Sequence, residues 1–330
     1  MKVALFDTSL GTDNAGDYFI SDSVKSMLDT QFVLFQIQGT NIFEDKHVYE
    51  RINDCDIVLI TGTNLYRNSI FDRQHFNIDK RIIAKIKIPI IPFGIGVGGD
   101  LNISPNRHTR KIVKLIHKRC IVSSVREGYG VEFVNKCGAT NVIMTGCPTL
   151  YRSLDGNLRV FEKDKYKKRM LLTITCYKGT PNKDFIDYFM HKYNPFVFCQ
   201  MESDFVHLME NWPDKKANFI YSKNLSELAS EYHNMLDKVS IVVGSRVHGN
   251  MVALARGIPA YYLCFDARGK GFCETFSLPY VWQGDSDEIT KIEKLIQSND
   301  SFKAFETKYS FYYKEMKRFL SINNIPNKLK

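Results

Sequence analysis

The stretch from 241 to 250 contains residue types that can bind and protonate a small anion. An apolar, β-branched run ends in a small-residue turn, Arg246 and His248 follow two positions apart, and an alanine-rich helix pattern begins. A helix that starts at a strand end presents free backbone N–H groups and the positive end of its dipole. We therefore expect an anion site in which Arg246 and His248 are catalytic and Val247 and Gly249 contact substrate.

The charge state of His248 is expected to depend on the ligand. A histidine at a helix start is often a neutral, hydrogen-bonded structural group, and the helix dipole and Arg246 both disfavour the charged imidazolium. A bound phosphate dianion would favour the charged form. Ligand binding would then convert His248 into an acid.

Three further strand ends carry polar or glycine-rich loops. Between the first strand and the first helix pattern, Tyr18–Leu28, the loop holds Asn14, Gly16 and Asp17, where Gly16 predicts an unusual turn and Asp17 a helix cap. Asn64 lies in the second loop, and the third spans 94–100. Because the carboxyl ends of parallel strands border the ligand crevice, we expect these loops to bind substrate.

Two other arginines are candidate anion ligands. Arg126 follows an apolar run and precedes Glu127 at a helix start, so the sequence permits either a salt bridge or an anion contact. Arg268 lies in a glycine- and cation-containing stretch, 265–271, which reads equally as an anion loop or a solvated turn. A dinucleotide fingerprint, a Walker loop, a nucleophile elbow and metal-ligand spacing are all missing from the sequence, so we expect neither a metal nor a cofactor.

Composition narrows the class of protein. With 330 residues, 44% of them hydrophobic, the chain is expected to form two packed domains. The formal net charge of +9 admits nucleic acid, an anionic membrane face or anionic substrates, but zinc-finger and RNP-type patterns are missing, so nucleic acid is not expected. The first residues read as a buried strand and the eight cysteines are scattered, which predicts a cytoplasmic protein without a signal peptide.

Strand and helix patterns alternate along the chain and predict an α/β fold of two Rossmann-like β/α/β domains that face a cleft. We expect domains over residues 1–155 and 165–300, separated by a basic polar segment. The tail, residues 301–330, has aromatic residues spaced three and four apart with lysines on other faces, which predicts an amphipathic helix. It would pack on a domain or, alternatively, lie on a membrane surface.

At these residues the chain resembles the polysaccharide pyruvyl transferase family. The matching motifs occur in order over roughly residues 1 to 280: Gly11-x-x-Asn14-x-Gly16-Asp17, Ser124-Val125-Arg126-Glu127, Ser245-Arg246-x-His248, Gly257-x-Pro259 and Phe265-Asp266-x-Arg268. Where this chain has Arg268, family members often have a lysine.

The resemblance implies a GT-B-like fold, with phosphoenolpyruvate as donor and a sugar diol as acceptor. Arg126 and Arg246 would clamp the anionic donor, and His248 would be the acid or base. The acceptor would belong to a cell-surface polysaccharide or its lipid-diphosphate-linked precursor, which makes peripheral contact with the inner face of the plasma membrane an expectation.

Two alternatives stay open at the level of sequence. A GT-B glycosyltransferase that uses a nucleotide sugar needs the same two halves, with Glu274 or Asp266 holding the ribose. The second alternative is a non-catalytic glycan-binding protein of the same fold. The oligomeric state is not predicted.

Overall fold

The computed structural model describes residues 1–37, 42–70, 78–98, 104–160, 169–176, 183–298 and 302–330. Strands and helices alternate through these ranges, and all paired strands within its sheets are parallel. The chain forms two compact units. The first contains Met1–Thr12, Ile20–Gly156 and Phe311–Lys330, and the second contains Asp13–Phe19 and Asn157–Ser310. Residues 13–19 therefore group with the second unit, and the tail is divided between the two units at Ser310 and Phe311.

The first unit is built on a four-stranded sheet of order β2-β1-β3-β4. A shorter pair, β5 and β6, continues from it through a bridge between Ile95 and Val125. The strands are β1 (Lys2–Asp7), β2 (Gln31–Gln36), β3 (Ile57–Thr61), β4 (Ile90–Phe93), β5 (Ser123–Val125) and β6 (Val142–Met144). The helices are α1 (Ala15–Met27), whose first residues belong to the second unit, α2 (Lys46–Asn53), α3 (Lys80–Lys85), α4 (Arg107–His117) and α5 (Gly128–Lys136).

The second unit is built on a six-stranded sheet of order β12-β11-β10-β7-β8-β9. Numbered within the unit this is the Rossmann order 3-2-1-4-5-6, whose switch point lies between β7 and β10. The strands are β7 (Arg169–Thr173), β8 (Phe196–Phe198), β9 (Phe219–Ile220), β10 (Val239–Gly244), β11 (Ala260–Cys264) and β12 (Tyr280–Trp282). The helices are α6 (Lys183–Tyr193), α7 (Glu202–Asn211), α8 (Leu225–Leu236), α9 (Val247–Ala255), α10 (Ala267–Phe276) and α11 (Glu288–Gln297).

Burial explains why the central strands lack an alternating pattern. Every residue of β10 is buried, as is every residue of β3, because helices cover both faces of a parallel sheet. Side-chain caps fix several helix starts. The Oδ1 atom of Asn106 accepts the N–H of Thr109 at 2.7 Å at the start of α4, and Asn224 caps α8 in the same way.

The start of α1 differs from the prediction. The helix begins at Ala15, three residues before the expected Tyr18, because Asn14 caps it: its Oδ1 accepts the N–H of Gly16 at 2.9 Å. Asp17 is the third residue of the first turn, a position where a carboxylate complements the dipole. The backbone N–H of Asp17 donates to the carbonyl of Asn14 at 3.1 Å.

The tail forms one long helix, α12 (Lys303–Ile322), and its apolar stripe is buried. In the second unit the ring of Phe302 lies 5.4 Å from that of Tyr261. In the first unit Phe319 lies 5.2 Å from Phe93, and Tyr313 donates to the carbonyl of Leu154 at 2.7 Å. The stripe therefore packs on the protein, and the lysines that the sequence placed on other faces, 303, 308, 314 and 317, are exposed.

Among the helices of the described ranges, none combines the length and apolarity needed to cross a membrane.

Candidate functional site

The switch point of the second unit brings the ends of β7 and β10 into direct contact. The backbone N–H groups of Ser245 and Arg246 both donate to the carbonyl of Thr173 at 2.8 Å, and the hydroxyl of Ser245 accepts the N–H of Thr175 at 2.8 Å. A Cβ atom on Gly244 would clash with Thr173, so only glycine fits this crossing. This network fixes the backbone from which Arg246 and His248 project.

Arg246 forms a buried ion pair with Asp204 on α7. The Arg246 side chain is 7% exposed and that of Asp204 is fully buried. Asp204 also accepts the backbone N–H groups of Cys176 at 2.9 Å and Met201 at 3.1 Å. Since Asp204 is held by three donors, it fixes the guanidinium in one orientation and compensates its charge.

The first turn of α9 directly follows this pair. Arg246 is the N-cap residue, and its side chain makes no capping hydrogen bond. Val247, His248 and Gly249 form the first turn, where backbone N–H groups have no partner within the helix. Val247 and His248 are half-buried, whereas Gly249 is buried. The turn therefore places a positive dipole end, an arginine and an imidazole next to one another.

The N-terminal loop belongs to this unit and contacts His248. The Oδ1 atom of Asn14 accepts from Nε2 of Gln200 at 2.8 Å, and the N–H of Ala15 donates to the carbonyl of Gln200 at 3.0 Å. A Cβ atom on Gly16 would lie 2.8 Å from Nε2 of Gln200 and 3.1 Å from Cδ2 of His248. Gly16 adopts a helical conformation rather than the unusual turn that the sequence predicted. It is needed because a side chain would not fit.

The first unit has a second buried arginine at the carboxyl end of β5. Nε of Arg126 donates to Glu127 at 2.8 Å, and its terminal nitrogen donates to Oδ1 of Asn64. Glu127 also accepts the N–H of Val97 at 2.8 Å. The guanidinium lies over the α-carbon of Gly96, where a Cβ atom would overlap it. The salt bridge considered from sequence is therefore present, and Asn64 and Arg126 lie together.

Arg268 occupies a different environment from the one expected. The stretch predicted as a loop or turn is the start of α10, and Asp266 is its N-cap, accepting the N–H groups of Arg268 and Gly269 at 3.1 and 3.0 Å. The guanidinium of Arg268 is paired with the same carboxylate. The Asp266 carboxylate is therefore already bound to the backbone and the guanidinium at this helix start, which leaves it poorly suited to bind the hydroxyls of a ribose. Substrate binding by Arg268 stays a prediction.

The thiols near the site are protonated at neutral pH. Burial raises the pKa of Cys176 to about 12, and burial also raises the pKa of Cys199 well above its ordinary value. Because the thiolate is the nucleophilic form, these cysteines are inert packing groups.

Two residues of the site were not found from the sequence, Asp204 and Gln200. Both lie after β8. Asp204 is far along the chain from its partner Arg246, and Gln200 is far from Asn14, so no local motif connects either pair. The only available signals were an acidic residue three positions after Met201, as in a capping box, and a polar residue at the end of an apolar strand.

Comparisons with known proteins bear on fold and family. A Listeria monocytogenes protein assigned to the UDP-N-acetylglucosamine 2-epimerases is similar with a TM-score of 0.57 and 11% identity, covering 98% of this chain and 96% of that one. The UDP-GlcNAc 2-epimerase of Methanocaldococcus jannaschii is similar with a TM-score of 0.54 and 12% identity, covering 97% of this chain and 99% of that one. The UDP-GlcNAc 2-epimerase of Neisseria meningitidis, in a structure with bound UDP-GlcNAc, is similar with a TM-score of 0.53 and 14% identity, covering 98% of this chain and 100% of that one. These similarities show the GT-B fold and confirm the predicted fold class.

A comparison with curated proteins found no match. The family model of the polysaccharide pyruvyl transferases matches residues 14–263, which include the Asn14 loop, Arg126, Arg246 and His248. The match covers more than half of the chain and extends through both units. The chain therefore belongs to the polysaccharide pyruvyl transferase family.

Proposed function

We propose that this protein transfers the enolpyruvyl group of phosphoenolpyruvate to a sugar diol and forms a cyclic pyruvate ketal with release of phosphate. The observation that carries the proposal is the start of α9, where Arg246, fixed by Asp204, lies next to His248 and to the backbone N–H groups of the first helical turn. Family membership supplies the reaction class.

The chemistry of the donor fits this arrangement. Phosphoenolpyruvate carries a phosphate and a carboxylate, and a helix N-terminus with an arginine binds such anions through backbone N–H groups and paired N–H donors. Asp204 keeps the guanidinium oriented before the ligand arrives, so little side-chain entropy is lost on binding. Val247 and Gly249 would contribute backbone donors. Arg126 of the first unit is oriented by Glu127 and Asn64, and its binding of an anion stays a prediction from the family resemblance.

The proposed reaction balances without a cofactor. A proton adds to the methylene carbon of phosphoenolpyruvate, which becomes a methyl group, and the adjacent carbon gains oxocarbenium character. One sugar hydroxyl attacks that carbon, the bond to the bridging phosphate oxygen breaks, and a second hydroxyl closes the ketal. One hydroxyl proton replaces the proton that was added, and the other leaves with phosphate.

His248 is proposed as the acid–base group of this sequence, delivering the first proton or assisting the departure of phosphate. A positioned acid or base contributes about 10²- to 10⁴-fold to a rate. His248→Ala should therefore lower turnover by about that factor. Because the side chain is only half-buried, the variant should still fold.

The acceptor is proposed to be a hydroxyl pair of a cell-surface polysaccharide or of its lipid-diphosphate-linked precursor. Contact with a membrane would then involve the exposed lysines of α12, because its aromatic stripe is buried. Replacing these lysines should lower partitioning onto anionic vesicles. Unchanged partitioning would count against this part of the proposal.

The proposal is tested by incubating the protein with ¹³C-labelled phosphoenolpyruvate and a panel of saccharides that carry free diols. Carbon NMR follows the quaternary ketal carbon, and phosphorus NMR follows phosphate. We expect both signals to grow together in the wild type and far more slowly in His248→Ala. Ketal formation at the wild-type rate in that variant would remove His248 from the mechanism.

The same panel includes UDP-, CMP- and GDP-sugars. Consumption of one of these, with phosphoenolpyruvate untouched, would contradict the proposal and favour a nucleotide-sugar enzyme. Binding of glycans without consumption of either donor class would favour a non-catalytic protein.

A further inference from the structure

Gln200, at the carboxyl end of β8, holds the N-terminal loop at two points. Its backbone carbonyl accepts the N–H of Ala15 at 3.0 Å, and its side-chain Nε2 donates to Oδ1 of Asn14 at 2.8 Å. The side chain is buried. One residue therefore fixes both the course of the loop and the orientation of the residue that caps α1.

The orientation of the Gln200 amide follows from its surroundings. The N–H of Gly16 donates to Asn14 at 2.9 Å, so the Asn14 atom at that point must be its oxygen. An oxygen there requires the NH₂ group of Gln200, not its carbonyl, to face Asn14. The Gln200 carbonyl oxygen is thereby turned away, and within the described part of the chain it is buried with no hydrogen-bond donor.

This arrangement extends to His248 through Gly16. The position that a Cβ atom would take on Gly16 is 3.1 Å from the His248 ring and 2.8 Å from Nε2 of Gln200. The loop that Gln200 holds therefore packs directly against the imidazole. A shift of Gly16 by a few tenths of an ångström would change the room available to the ring.

We propose that Gln200 is a positioning residue for His248, acting through the Asn14–Gly16 loop. The proposal deepens the function given above and rests on it for the role of His248 in transfer. A buried acceptor without a donor costs free energy, so a purely structural role would be served as well by an apolar side chain. Gln200→Met should accordingly keep the stability of the protein while releasing the loop, since Asn14 retains its bond from Gly16.

The first test measures the accessibility of His248 without requiring activity. Diethylpyrocarbonate modification of each histidine is followed by peptide mass spectrometry in the wild type, Gln200→Met and Gln200→Asn. The asparagine variant keeps an amide that is one methylene too short to reach Asn14. We expect His248 to react several-fold faster in both variants, with an unchanged melting temperature. The exposed His47 should react at the wild-type rate and serves as the internal reference.

The second test is transfer itself. Loss of one hydrogen bond that orients a catalytic group should lower kcat about tenfold and leave KM for phosphoenolpyruvate unchanged. Gln31→Met, at an exposed position of β2, is the matched control and should behave as wild type.

The outcomes separate the two proposals. Wild-type reactivity of His248 and wild-type kcat in both variants would overturn the role of Gln200. A lowered melting temperature that accounts for both the faster modification of His248 and the lower kcat would also overturn it, because a purely structural role gives that result. Faster modification of His248 in a protein that transfers no pyruvyl group would support the positioning by Gln200 and contradict the proposed function.

Discussion

The Arg246–Asp204 pair allows a quantitative prediction, because removal of either charge leaves the other buried. Asp204 is fully buried, Arg246 is 7% exposed, and Asp204 also accepts two backbone N–H groups. Breaking such a pair by removing one partner typically costs about 3–5 kcal/mol. Asparagine keeps the volume and one acceptor oxygen, so we expect Asp204→Asn to cost about 3 kcal/mol, at the lower end of that range.

The assay is urea unfolding at neutral pH, with Asp237→Asn as the matched control. Asp237 pairs with Arg256 through the same two atoms, Oδ1 and a terminal guanidinium nitrogen, but these side chains are 65% and 37% exposed. An exposed pair is worth about 0–1 kcal/mol, so the control should lose little. A loss of stability in Asp204→Asn no larger than in Asp237→Asn would refute the view that a buried, compensated arginine underlies the site.

A ligand test extends the same prediction. Without the Asp204 charge the buried guanidinium loses the carboxylate with which it is paired, so an anion bound there replaces that partner. Phosphoenolpyruvate should therefore stabilise Asp204→Asn by more than it stabilises the wild type, measured as the shift of the urea midpoint. Equal shifts would indicate that the ligand does not bind next to Arg246.

Two further predictions concern the first unit. Burial lowers the pKa of His117 from 6.5 to about 4, so the unfolded chain binds its proton first and stability falls as the pH drops from about 6.5 to 4. Urea unfolding should give about 2 kcal/mol less stability at pH 5 than at pH 8 from this group, and His117→Gln should lose that part of the pH dependence. Phe319→Ala should cost about 3–5 kcal/mol, because the ring is buried on α12, whereas Phe311→Ala, 55% exposed on the same helix, should cost little. An equal effect of both would contradict the packing of the tail.

The sequence predicted the features that depend on local order. The first residues of the chain predicted a buried strand, and the apolar run and small-residue turn before Arg246 predicted the strand-to-helix junction at α9. These predictions succeed because strand burial, helix periodicity and turns depend on residues that are close together in the sequence. The parallel fold class follows from their alternation.

Features that depend on contacts between distant segments could not be predicted. Asp204 and Arg246 are brought together only by the strand order of the second sheet, which places the segment after β8 beside the end of β10. The reason for a glycine at position 16 could not be predicted either. Its sequence context suggested backbone freedom, but its need arises from Gln200 and His248, which are distant in the chain. At Asp266 a helix cap looked like part of an anion loop, because the same residue types serve both.

The central claim, that the start of α9 binds phosphoenolpyruvate, is tested most directly by titration calorimetry. The wild type is compared with the double variant Arg246→Met and Asp204→Asn, which removes both charges and so avoids leaving one of them buried alone. We predict that the wild type binds phosphoenolpyruvate and not UDP, and that the folded double variant has lost this binding. Equal affinity of the two proteins for phosphoenolpyruvate, or binding of UDP alone, would contradict the account.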